Sequence, residues 1–302
     1  MTKYKALLIF GLFTVFIFGT AAQSDCDSKK NKNAPVNTNS NGDAMSDNKK
    51  PAKTPRNGSA EVKTLAEGSF GKIEQPFLFV VRSAETYRQL QNVFAELPPD
   101  PGINFDEQAV IAAFAGTKST GGYSVEIKKS GEKVSVSVVN PPKDAMLTQA
   151  LTMPYQVAIV PVEAEKGLKL EVSTDWKNAA QTFKLSSGEF ESSGGFAGRL
   201  KKFTAQGTIN VWRFEDLVTF DFNLSGADKN MQLTEMASGV AKNGKIDLVR
   251  LDAGSFSEGP KPPVKATGTI ADDKLTLTLE PLPTNIRDGF QVSGKLEAVK
   301  SK

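Results

Sequence analysis

Stretches in which every second residue is apolar recur along this chain, and that period of two constrains its fold more than any other feature. Tyr123, Val125 and Ile127 alternate with Ser124, Glu126 and Lys128, and after a turn at Ser130-Gly131-Glu132-Lys133 the pattern resumes at Val134, Val136 and Val138. Ile209 and Val211 alternate with Thr208, Asn210 and Trp212; Val218, Phe220, Phe222 and Leu224 share one face; Leu275, Leu277 and Leu279 alternate with Thr276 and Thr278. Residues two apart lie on one face of an extended strand, so each stretch predicts a half-buried strand. Pro76–Val81, residues 110–115 and residues 155–162 are continuous apolar runs and predict more deeply buried strands.

Helical spacing is scarce. Tyr87, Leu90, Phe94 and Leu97 form one apolar face behind Ser83, a candidate cap, and Pro98-Pro99 stops the pattern. Met231, Leu233, Met236 and Val240 predict a second helix. The fold class read from these patterns is α+β, with two mainly antiparallel β modules, the first containing one early helix. They are expected at 61–165 and 175–302, with 163–174 as a closing hairpin or connector and a turn at Ala271-Asp272-Asp273-Lys274.

The first sixty residues read differently. Lys3 and Lys5 precede the apolar stretch 6–18, and Gly19-Thr20-Ala21-Ala22 supplies small residues, the layout of an export signal over 1–22. Residues 23–60 carry almost no large apolar side chain and predict a disordered tether. Cys26 stands where a lipidated cysteine would, although Gln23-Ser24-Asp25 departs from the usual leucine and small residues, which favours cleavage near Ala22. Either route predicts an exported protein, in the periplasm, at the cell surface or secreted, with Cys26 a lipidation candidate. Membrane contact is expected only through that lipid or an uncleaved signal. The leader carries +2 and the tether +3 of a total of +3, leaving −2 for residues 61–302. A slightly acidic folded part argues against nucleic acid as a partner.

The chain has no histidine and a single cysteine. Serine or cysteine triads with histidine, histidine-ligated metals, redox cysteine pairs and internal disulfides are thereby excluded. Other motifs fail on context. Ser130 and Lys133 spell S-x-x-K within a solvated turn, where nothing makes the lysine a base, and the same holds for Ser46 and Lys49 in the tether. Gly68-Ser69-Phe70-Gly71-Lys72 has Ala66 and Ile73 where a phosphate loop needs glycine and Ser/Thr. Asp100, Asp106 and Glu107 lack a calcium-loop spacing. No catalytic residue, metal site or cofactor is assigned, and the expectation is a protein that is not an enzyme. A hydrolase built on paired carboxylates is the enzyme alternative, with no pair singled out.

Val81-Arg82-Ser83 before a helix, Asn104-Phe105-Asp106, Gly116-Thr117-Lys118-Ser119-Thr120-Gly121-Gly122-Tyr123 and Thr148-Gln149-Ala150-Leu151-Thr152-Met153-Pro154-Tyr155 together resemble the C-terminal domain of the protease complex subunit PrcB family, over about 68–162. Met153 and Gln156 stand where an aromatic or histidine is expected. The resemblance implies a non-catalytic protease partner or stabiliser. Phe190-Glu191-Ser192-Ser193-Gly194-Gly195-Phe196-Ala197-Gly198-Arg199 is similar to the opening hairpin of emfourin-type metalloprotease inhibitors.

The candidate protein-binding residues are therefore Gly116, Thr117, Lys118, Ser119, Thr120, Gly121, Gly122, Tyr123, Pro154, Tyr155, Gly194, Gly195 and Phe196. Glycines permit positive φ, so the 116–122 loop can turn tightly and present backbone groups to a partner. The plain structural roles are corner turning for the glycines, inward packing for Tyr123 and Phe196, and strand entry for Pro154-Tyr155. The expected function is stabilisation or inhibition of an extracytoplasmic protease by docking loops and sheet edges. The alternative is an envelope or glycan-binding structural protein, which would need aromatic platforms; the chain's two tryptophans, Trp176 and Trp212, are expected in the core or at its rim instead.

Overall fold

The computed structural model describes residues 61–99, 101–162, 168–193, 201–226, 232–252, 263–282 and 291–301. The chain divides into units Met1–Pro55 and Arg56–Lys302, and every described residue lies in the second. Export signal, tether and Cys26 lie outside the described residues, as do Gly194, Gly195 and Phe196.

The described chain is mostly strand. In order it forms β1 Lys63–Gly68, β2 Pro76–Val81, α1 Ala84–Val93, β3 Gln108–Ala115, β4 Ser124–Ser130, β5 Lys133–Val139, β6 Tyr155–Pro161 and β7 Lys169–Val172. The short α2, Thr174–Ala179, follows. Then come β8 Gln181–Ser193, β9 Lys201–Phe214, β10 Leu217–Gly226, β11 Gln232–Lys242, β12 Lys245–Asp252, β13 Pro263–Ile270, β14 Lys274–Pro281 and β15 Gln291–Lys300.

The first part holds an antiparallel sheet in the order β1-β6-β3-β2 and a smaller one, β4-β5-β7, in which β7 runs parallel to β5. Buried Gln156 joins the two. Its carbonyl oxygen accepts from Ile127 N on β4 (2.7 Å), and its amide nitrogen donates to Thr64 Oγ1 on β1 (3.1 Å). An apolar side chain here would leave the Ile127 N–H unpaired, and the glutamine amide meets that donor while also donating toward β1. The helix begins where expected: the Ser83 side chain accepts from Thr86 N (3.1 Å) and Tyr87 and Leu90 are buried. It ends at Val93, and Leu97 reaches the core from the turn that follows.

The second part is a closed barrel of eight antiparallel strands, β8 to β15 in sequence order, with β15 pairing back onto β8. The shared face of Val218, Phe220, Phe222 and Leu224 points inward, where Phe183, Ile209, Leu233, Leu275, Leu277 and Leu279 join it in one buried cluster. Outside, Lys265 pairs with Asp247 (3.1 Å) and Lys274 with Glu297 (2.9 Å). An apolar filling with charged groups outside is the reverse of a lipid-embedded barrel, whose outer band is apolar. Among the described residues no helix is long and apolar enough to cross a membrane.

The helix expected at 231–240 is instead β11. Leu233, Ala237 and Ala241 point into the barrel, whereas Met236 and Ser238 lie on the other face and are also buried. A strand covered on both faces carries apolar residues at both parities, and Leu233, Met236 and Val240 fall by accident into helical spacing. Met231 lies outside the described residues.

The covering layer is β2 with the two helices. Trp176, Trp212, Leu217 and Met236 belong to the same buried cluster as Phe77, Leu78, Phe79 and Leu90. Trp176 Nε1 donates to Phe77 O (3.0 Å), and Trp212 Nε1 donates to Trp176 O (2.8 Å). Beside this contact lies Asp221. Its carboxyl is raised above the ordinary value, chiefly because burial disfavours the charge; Asn210 Nδ2 (3.1 Å) and the Lys177 charge pull the other way. A raised carboxyl makes ionisation oppose folding. Stability therefore falls as pH rises from the ordinary carboxylate value through the raised one. Asp221→Asn keeps an oxygen for Asn210 and removes the charge. It is expected to raise the thermal midpoint at pH 7 and leave it nearly unchanged at pH 3, checked by melting the two chains in parallel.

Candidate functional site

The two segments singled out in the sequence meet. Gly116 closes β3 with φ 71°, a conformation that strains any other residue, and a Cβ there would also sit 2.8 Å from Glu74 O. Beyond it, Lys118 N donates to Thr152 O (2.7 Å) and Thr152 N to Lys118 O (3.0 Å), while Gly121 N donates to Thr148 O (3.0 Å). Thr152 Oγ1 is buried and donates to Thr120 O (2.8 Å). The backbone of this loop is thus largely committed within the fold: Thr117 N also donates inward, to Glu74 O (2.9 Å). The expectation that the loop offers these groups to a partner is corrected at Thr117, Lys118 and Gly121. Gly122 has φ 86°, and Ser119 is exposed.

Lys118 is held on the inner side. Its Nζ lies 5.8 Å from the Tyr123 ring centroid and 3.5 Å from Asp175 of α2. Tyr123 is half-buried. Tyr155 opens β6 and stacks on Phe114 (centroids 5.8 Å), which stacks in turn on Phe94 (4.6 Å). The Tyr155 hydroxyl donates to Glu96 Oε2 (3.2 Å), and burial together with that carboxylate pushes its pKa up. Pro154 is buried and its carbonyl accepts from Ala115 N (2.9 Å).

A third segment completes the surface, one that sequence reasoning passed over. Met153 N donates to Ser69 O (2.8 Å) and Gly71 N donates to Met153 O (2.8 Å), so Phe70 stands opposite Met153 in a parallel bridge. Gly68 and Gly71 both lie against the Tyr155 ring. The glycines that superficially suggest a phosphate loop let this stretch pass over that ring. Residues 69–71, 151–153 and 118 therefore form a small three-segment platform joined by main-chain bonds. Thr152 is buried, Met153 is half-buried and Leu151 is exposed. Phe70 is 74% exposed and Leu151 67%, among the few large apolar side chains in the described residues left in solvent. Met146, nearby in sequence, is 99% exposed. In the sequence Phe70 has Gly68 and Lys72 at i±2, whereas Leu151 has Met153 at i+2, so no shared local pattern marks the two.

Both tryptophans are buried with their indole N–H groups bonded inside the protein. They provide no aromatic platform at the surface. No curated protein and no solved structure matches the chain. One family does: residues 109–161, from β3 to the end of β6 and including the glycine loop and Met153-Pro154-Tyr155, match the family described as PrcB C-terminal.

Proposed function

We propose that the protein is an exported, non-catalytic binding module that docks on an extracytoplasmic protease through the platform of Phe70, Leu151 and Met153, and so stabilises or inhibits it. The observation that carries this reading is the exposure of Phe70 and Leu151 on a main-chain-bonded platform whose residues 118 and 151–153 fall inside the stretch that matches PrcB C-terminal and whose residues 69–71 precede it. The match supports a protease-complex partner in kind. The charge-poor platform supports a contact made by apolar burial, with Thr117 and Ser119 at its rim. Export rests on the sequence of residues 1–22 and attachment on Cys26.

Tagged full-length chain, incubated with envelope extract of the source cells, is expected to retain a protease and alter its activity or lifetime. Phe70→Ser combined with Leu151→Ser is expected to weaken capture by about tenfold or more, because central apolar anchors carry most of an interface's energy. The same variant should melt at the parent temperature, since both side chains are already in water. Failure to retain any protease, or equal capture by the double variant, would refute the reading.

A further inference from the structure

We propose that the outer wall of the barrel is a receptor for the free edge of an uncharged apolar strand, and that by holding β2 there it prevents two copies of this chain from pairing through β2. This is independent of the partner reading above. β2 is the terminal strand of its sheet and reads PFLFVV, without a charge or an interruption. Such an edge is a template for another chain unless something covers it.

What covers it is a row of side chains, not a strand. Thr219 on β10 and Ser238 on β11 are direct partners in the barrel register, and both are buried. Val80 N donates to Ser238 Oγ (2.7 Å), the two hydroxyls are 2.6 Å apart, and Thr219 Oγ1 donates to Leu78 O (2.6 Å). Because the Thr219 proton goes to Leu78, Ser238 must donate to Thr219. The four groups form one directed chain, from a β2 donor through two hydroxyls to a β2 acceptor two residues away. A neighbouring strand would offer a carbonyl to Val80 and an N–H to Leu78; the hydroxyl pair supplies the same acceptor and donor. The barrel holds a second pair of opposed hydroxyls, Thr269 and Thr276 (2.7 Å), which is exposed. The pair alone is therefore an ordinary barrel feature, and its burial over β2 is the specific one.

The competing occupant is β2 of a second copy. Antiparallel pairing about Phe79 is two-fold symmetric, uses the same Leu78 and Val80 groups, and continues the sheet from one molecule to the other. Two measurements on full-length chain test this. In Ser238→Ala, exchange of the Val80 amide should accelerate about tenfold or more while Thr276→Val leaves it at the parent rate. In Ser238→Glu, where a buried charge forces the wall off β2, sedimentation should show dimers at concentrations where the parent and Thr276→Val do not. Unchanged Val80 exchange, or a folded Ser238→Glu chain with the parent's mass, overturns the proposal. Should Ser238→Glu fail to fold, Thr219→Val with Ser238→Ala is read by the same two measurements with the same outcomes.

Discussion

Trp176→Ala is expected to cost about 3–5 kcal/mol, the range for deleting a fully buried large aromatic. The indole is wholly buried, it donates to Phe77 O, and the Trp176 carbonyl holds Trp212 of the barrel. Truncation opens a cavity where the sheet, α2 and the barrel wall share one cluster, and strips a hydrogen bond from β2. Against a total stability of about 5–15 kcal/mol for a domain, the loss would displace the denaturant midpoint far more than any surface change. Trp176→Phe separates the two contributions. It fills most of the space but cannot reach Phe77 O, and should cost about 1–3 kcal/mol. A midpoint for Trp176→Ala within error of the parent would mean that sheet and barrel do not rely on this contact.

Gly268→Ala is expected to be comparably severe for a different reason. Gly268 lies in β13 opposite Leu277, and a Cβ there would overlap the Thr276 carbonyl oxygen and crowd the Leu277 backbone. The obstacle is main chain, so no rotamer change relieves it, and strands β13 and β14 must separate. Overpacking in a core costs about 1–3 kcal/mol where side chains can yield, and more is expected where they cannot. Loss of the near-ultraviolet dichroism of the aromatic barrel interior, or a large drop in melting temperature, would report it. A variant as stable as the parent would show that the strands there have room the structure does not give them.

Most strands were legible because they show one parity to a core or, as in β2, β3 and β6, form a short continuous apolar run. Val218, Phe220, Phe222 and Leu224 carry that information within seven residues, and the turn at 271–274 sits where the two neighbouring patterns stop. Closure was not legible, since it depends on β15 meeting β8 across about a hundred positions and no local pattern encodes that pairing. β11 misled because neighbours bury both its faces, which erases the period of two. At the site, the loop glycines and Tyr155 were visible as turn and strand-entry residues. Phe70 and Leu151 were not, because exposure of an apolar side chain is a property of what fails to cover it, and that is decided only when 69–71, 118 and 151–153 come together.

The central claim is that a protease sits on those two side chains. A photo-crosslinking amino acid at position 151 of the full-length chain, activated in intact source cells, tests it most directly. A covalent adduct to one protease is expected, absent when the same probe replaces Lys274 on the solvent face of the barrel. Adducts only to lipid or polysaccharide, or the same adducts from both positions, would contradict it.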